Sequence, residues 1–188
     1  MLLRHTRINS LKNRAKLDIK DYTGSQKENC FGFQNIDRDE LMDRVLIGWR
    51  EWVSLPELNI ERIKAKIDTG ARTSALHAFF VEPFEEEGVE MVRFGVHPLQ
   101  KRLDIEVICE YPVKDYRQVT DSGGHKEMRY VIETKVQLGG KTWPIEMTLT
   151  NRDSMKFRML IGRTAMHNIA VLPDQSFLFG RPATQPDK

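Results

Sequence analysis

Asp68, Thr69 and Gly70 stand where an alternating stretch, Ile60 to Ile67, runs into a turn of small residues. Asp68 offers a short carboxylate at the end of a predicted strand. Thr69 adds a hydroxyl able to hydrogen-bond locally. Gly70 admits backbone conformations closed to other residues and lets a second backbone approach. A carboxylate held on such a turn can be aimed into a cleft, where its chemistry would be proton transfer. On its own the tripeptide also suits a plain turn between two strands, since Asp and Gly are common turn residues.

A second stretch bears on that choice. Met159, Leu160, Ile161, Gly162 and Arg163 follow downstream, ahead of Thr164, Ala165 and Met166. A strand-borne Asp-Thr-Gly-Ala, then two apolar residues and Gly-Arg, resembles the retroviral-type aspartic proteases. With Lys66 to His77 and the run Ser122-Gly123-Gly124-His125-Lys126-Glu127-Met128-Arg129 included, the chain resembles a retropepsin-like family of bacteria and archaea often labelled "ATP-dependent zinc protease". The resemblance covers roughly residues 44–182.

It implies an all-β fold, a closed acid-protease barrel with one lobe per chain and a short C-terminal helix. It implies that Asp68, Thr69 and Gly70 form the catalytic loop, that Leu160, Ile161 and Gly162 pack beside it as structural support, and that Arg163 starts the short helix. Aspartic proteolysis needs two carboxylates sharing one proton: one activates water as a base, the other protonates the carbonyl as an acid. The chain has a single Asp-Thr-Gly, so the resemblance implies a two-fold homodimer with Asp68 beside its symmetry mate. Thr69 would then hydrogen-bond across the axis and Gly70 would contact substrate. Retropepsins close the cleft with a glycine-tipped hairpin, and residues 118–127, with Ser122, Gly123 and Gly124, are the expected flap.

The surroundings of Asp68 are basic. Lys66 and Arg72 flank it in sequence, and Arg129 and Arg163 lie in the other two motifs. Such a setting attracts an acidic substrate. Arg72, Arg129, Ser122, Gly123 and Gly124 are the expected substrate contacts, Arg163 is expected as a buttress and Lys66 as a solvated strand face. The resemblance also links the family to ATP-grasp ligases that add glutamate to proteins, which makes glutamate-rich peptide tails the expected substrate. Two alternatives stand beside the peptidase. One is a non-catalytic module of the same fold that captures an acidic partner, because a cation such as Arg72 beside Asp68 opposes a shared proton. The other is a zinc-dependent peptidase, as the family label suggests. For the latter, His-Glu-x-x-His is absent. His5, His77, His97, His125 and His167 are scattered, and Cys30 and Cys109 do not form a metal-spaced pair. His77 and His125 are the histidines that folding could bring together. No Gly-x-x-x-x-Gly-Lys-[Ser/Thr] loop is present, and no cofactor or metal is expected.

The elements that must carry these residues read as strands. Val45 to Trp49 and Glu51 to Leu55 read as one strand or a bent pair of strands, Pro56 and Asn59 mark a turn, and Ile60 to Ile67 delivers Asp68. Ala75 to Val81, Met91 to Val96 and Leu103 to Val113 read as further strands, with an acidic hairpin tip at Glu85-Glu86-Glu87-Gly88. The insertion 82–113 is longer than in viral retropepsins. Residues 114–126 are polar, with Ser122-Gly123-Gly124 at the centre, and no strand is assigned there. Arg129 to Leu138 and Thr142 to Thr150 flank Gly139-Gly140, a two-residue hairpin signal. Arg163 to Asn168 suits the short helix, and Ile169 to Leu172 with Ser176 to Phe179 suit a closing hairpin. Many short strands with glycine turns argue a barrel.

The 188 residues suit one domain with extensions: a basic arm and linker over 1–43, the domain over 44–182 and a tail over 183–188. Hydrophobic residues make up 40% and charged residues 30%, a soluble composition. A net charge of +2 gives no strong drive toward nucleic acid. Two cysteines make no disulfide framework, which points to a reducing compartment. No run approaches the roughly 18 apolar residues of a membrane helix, and no apolar segment follows the basic start as in a secretory signal. A cytoplasmic protein without membrane or nucleic-acid partners is expected.

Overall fold

The computed structural model describes residues 43–100, 102–120, 123–151 and 157–180. The chain divides into a unit at Met1–Ile36, outside the described residues, and a unit at Asp37–Lys188 that carries everything below. The expected basic arm, apart from Asp43, and the tail 183–188 also lie outside the described residues.

Twelve strands make up the described fold: β1 (Val45–Gly48), β2 (Arg50–Leu55), β3 (Ile60–Ile67), β4 (Ser74–His77), β5 (Phe80–Glu86), β6 (Val89–Val96), β7 (Val107–Pro112), β8 (Asp115–Thr120), β9 (Lys126–Leu138), β10 (Lys141–Thr150), β11 (Met159–Ile161) and β12 (Ile169–Leu172). The protein is all-β, as expected. β2, β3, β11, β4, β10 and β9 pair in that order, and β9 returns to β2 through Ser54 and Gln137, so the ladder closes into a ring. Inside it, Ile63, Ala65, Leu76, Ile132, Met147 and Met159 are fully buried. A closed ladder leaves no free sheet edge along those strands.

Two chain segments that lie far apart in sequence meet beside Asp68. β3 alternates buried Ile63, Ala65 and Ile67 with half-buried neighbours, the pattern of a half-buried strand. β11 runs parallel to β3, with Met159 opposite Ala65 and Ile161 opposite Ile67, and antiparallel to β4, with Leu160 opposite Ala75. The second motif is thereby wedged between the two strands that enter and leave the Asp68 turn.

Several expectations are corrected. Ala75 to Val81 is not one strand. Ser74 to Ala78 are buried in the barrel, and at Phe79, whose N–H donates to Gly95 (2.9 Å), the chain passes to a second sheet. That sheet, β5-β6-β7, is the long insertion, and its β5–β6 tip turns at Glu87 and Gly88, both at positive φ. The strand expected from Leu103 begins only at Val107, since Arg102 and Ile105 donate backbone hydrogen bonds within turns. The polar stretch 114–126, to which no strand was assigned, holds β8 and the start of β9, paired from Asp115–Val131 to Thr120–Lys126. The short helix is a single 3₁₀ turn at Arg163–Ala165. The closing hairpin does not form. β12 pairs parallel with β1, and the segment beyond Asp174 is tied instead by Trp49 N–H to Gln175 (2.9 Å) and by Leu178 N–H to the buried Glu51 carboxylate (3.0 Å). None of the described helices is long and apolar enough to cross a membrane.

Candidate active site

The turn after β3 is folded by its own aspartate. Asp68 Oδ1 accepts from the N–H groups of Gly70 (3.1 Å) and Ala71 (3.2 Å), an Asx-type turn that short carboxylates favour. Asp68 N–H donates to Ile161 (2.8 Å), which fixes the start of the turn on β11. Lys66 does more than face solvent, as was expected of it: its Nζ stands 3.6 Å from Asp68 Oδ2.

The second motif holds the same turn from below. Gly162 lies so close that an added Cβ would sit 2.5 Å from the carbonyl carbon of Thr73, so a side chain has no room there. Its N–H donates to the Ser74 hydroxyl (3.2 Å). Arg163 N–H donates to Ala71 (2.9 Å), and Thr164 N–H to Arg72 (3.0 Å). The Arg163 guanidinium donates through Nη1 to Thr69 (2.8 Å) and Gly70 (2.9 Å). Trp143 anchors the 3₁₀ turn with an indole hydrogen bond to Ala165 (3.0 Å). Leu160 lines the cleft, and Ile161 is buried in the core.

A cleft of about 670 Å³ opens above this turn. Asp68, Gly70, Arg72, Arg129 and Arg163 line it, as do residues 117–120 of β8. The β8–β9 hairpin therefore borders the cleft that also holds the aspartate. Ser122 lies outside the described residues; Gly123 and Gly124 are exposed, Gly124 at φ +85°, and neither lines the cleft. Thr69 is exposed at the mouth of the turn.

Sequence reasoning missed Arg117, Glu146 and Thr150. Arg117 Nη2 donates to Glu146 (2.6 Å) and Nη1 to Asp115 (3.2 Å). Arg117 and Lys114 hold the Glu146 carboxyl below the usual carboxylate range. Thr150 Oγ1 is buried with no partner among the described residues. The lining carries four arginines (72, 117, 129 and 163) against two carboxylates, Asp68 and Glu146, which favours acidic ligands. Arg72 is exposed, and its guanidinium has no partner among the described residues.

Among the described residues the zinc of the family label finds no donor set: no three His, Cys, Asp or Glu side chains cluster to hold an ion. His77 is fully buried on β4, whereas His125 is exposed beside the hairpin tip.

A family profile described as "RimB-like: Retropepsin-like aspartic endopeptidase RimB" matches residues 46–182. Curated relatives named "Probable alpha-L-glutamate ligase" match as well. That of Shewanella pealeana is 47% identical over 139 residues, 73% of this chain and 30% of its own length. That of Shewanella halifaxensis is 46% identical over 140 residues, 74% of this chain and 31% of its own. The chain thus spans under a third of the curated relatives it matches. A crystal structure from Legionella pneumophila, of a protein of unknown function, superposes with a TM-score of 0.58 at 30% identity, covering 71% of this chain and 96% of that one.

Proposed function

The chain belongs to the RimB-like family of retropepsin-like aspartic endopeptidases, and on that premise we propose that it is an aspartic peptidase working as a homodimer on acidic peptides. The observation that carries the reading is Asp68 itself. Its carboxylate follows β3 on a turn clamped by Arg163, in a cleft that residues 117–120 of β8 also line.

One chain supplies one such carboxylate. In the proposed dimer the second Asp68 comes from a symmetry mate, and the pair titrates as a unit. One Asp68 takes a proton from water as the water attacks the peptide carbonyl; the other delivers its proton to the carbonyl oxygen. The excess of arginine in the cleft supports an acidic substrate, and glutamate-rich tails are the best fit. The relatives named as glutamate ligases carry this stretch within longer chains. We take that as support for a functional link in which a ligase adds glutamate and this domain removes it, in the cytoplasm where such modification would occur.

Hydrolysis of a glutamate-tailed peptide by wild type and Asp68→Asn, both confirmed as folded, tests the reading. Asn keeps the shape and cannot act as base, so activity falls by about 10³-fold or more if Asp68 is the base and nucleophile activator. Equal hydrolysis by both would sink it. Binding of the peptide with no hydrolysis by either would favour the non-catalytic module.

A further inference from the structure

Arg117 and Arg129 stand directly opposite each other on β8 and β9. Both line the cleft that holds Asp68. Like charges opposite each other across a ladder destabilise it, so a hairpin under no other demand would avoid the pair. Burial sharpens the cost. Arg129 is 7% exposed, and a buried guanidinium is expensive unless its donors are used. Its Nε donates to Glu127 (2.8 Å), and its terminal nitrogens, which have no acceptor among the described residues, are not sealed from solvent and so stay open to the cleft. Arg117 is held across the cleft by Glu146 on β10 (2.6 Å), with Nε uncommitted. The two guanidinium groups therefore present unused donors to one space.

We propose that Arg117 and Arg129 form a carboxylate subsite on the β8–β9 hairpin, taking an acidic side chain of the bound peptide, and that Glu146 is its resident counter-ion. This rests on the cleft being the peptide site, as proposed above. Two guanidinium forks can grip one carboxylate with several charge-assisted hydrogen bonds, which neutral isosteres such as glutamine cannot match. Glu146 keeps Arg117 extended over the cleft when no peptide is bound. An entering carboxylate then shares Arg117 with Glu146, so Glu146 opposes the ligand by like charge while aiming the arginine.

The two partners of the 2.6 Å ion pair thus carry opposite expectations. Binding is read by fluorescence anisotropy of two labelled peptides, identical but for three glutamates replaced by glutamines. The Asp68→Asn background prevents turnover. The parent chain binds the glutamate peptide more tightly. Arg117→Gln weakens the glutamate peptide by about tenfold or more, as loss of charged hydrogen bonds implies, and shifts the glutamine peptide within about twofold. Glu146→Gln tightens the glutamate peptide several-fold. Arg93→Gln, an equal charge change on a surface pair with Glu110 outside the cleft, shifts both peptides within about twofold. If Arg117→Gln and Glu146→Gln move affinity in the same direction, the ion pair is structural and the subsite is overturned. Equal loss of both peptides in Arg117→Gln, or a shift by Arg93→Gln as large as that by Arg117→Gln, overturns it too. The outcome is separable from the peptidase reading: a glutamate preference lost in Arg117→Gln upholds the subsite even if no peptide is cleaved, and hydrolysis without that preference keeps the peptidase while removing the subsite.

Discussion

Arg163 Nη1 lies 2.8 Å from the carbonyl oxygen of Thr69 and also reaches that of Gly70 at 2.9 Å, so a single nitrogen of the second motif holds both carbonyls of the first. The two segments are more than 90 residues apart in sequence, and this contact fixes the orientation of the turn that carries Asp68. The carbonyls are exposed, so water can replace the guanidinium in a variant.

Arg163→Ala is therefore expected to cost less than about 1 kcal/mol of stability, because exposed hydrogen bonds contribute little net. Activity should fall more, by about 10- to 100-fold, since a misplaced catalytic group loses rate steeply. The loss should appear in kcat and not in KM, and Arg163→Lys should recover part of it. A melting temperature lowered by more than about 6 °C, with activity per folded molecule unchanged, would contradict the positioning role.

Gly162→Ala acts on the same turn by crowding. The new Cβ would meet backbone on the far side, 2.5 Å from Thr73 C and 2.8 Å from Arg72 O, and backbone cannot yield as a side chain can. Overpacking of this kind costs about 1–3 kcal/mol. The thermal transition should drop, and the pocket lining at Arg72 and Thr73 should shift. Ala at Gly140, where the added Cβ meets nothing, is the matched control for crowding, though its positive φ of 79° adds its own strain.

Much of this site was legible in the sequence because its parts are set by local chemistry. Asp68-Thr69-Gly70 ends an alternating strand, whereas the place of Gly162 beside that turn came from the family resemblance and not from its own neighbours in sequence. The hairpin at Gly139 and Gly140 was legible from local chemistry: both residues take positive φ, which two-residue hairpin turns demand. β8 was not legible. Its half-buried Asp115, Arg117 and Val119 are as mixed in polarity as its exposed Tyr116, Gln118 and Thr120, and residues 117–120 line a charged cleft and not the core. Periodicity of hydrophobicity carries little signal where a strand borders a charged cleft instead of the core. Ser74 to Ala78 misled in the opposite way, since a strand buried on both faces does not alternate and its end is set by the sheet it leaves.

Glu146 gives a pH dependence whose direction follows from its partners. The Arg117 hydrogen bond first, then Lys114, lowers its folded pKa below the usual 4.5. The charged form therefore contributes stability above pH 4.5, and that contribution disappears as pH falls through the lower folded value. Its side chain is about a third exposed, which screens the pair and keeps the contribution below about 1 kcal/mol. Wild type should melt about 1–4 °C above Glu146→Gln at pH 7. The two should converge toward pH 3. A gap that stays constant between pH 7 and pH 3 would mean that the carboxylate charge is not what stabilises the wild type.

Mixing wild type with Asp68→Asn tests whether each site draws on two chains. If a site needs one Asp68 from each of two copies, a mixed pair has a single carboxylate and cannot share a proton. Random exchange of equal amounts would leave about a quarter of pairs with both carboxylates. At constant total protein, activity should then follow the square of the wild-type fraction, falling to about a quarter at equal mixing. Specific activity of wild type should also fall on dilution, as pairs dissociate. A linear fall to one half, with no dependence on dilution, would mean that one chain carries a complete site, and a second proton-transfer group would have to be sought within the same cleft. Glu146, which lines that cleft, would be the first carboxylate to replace.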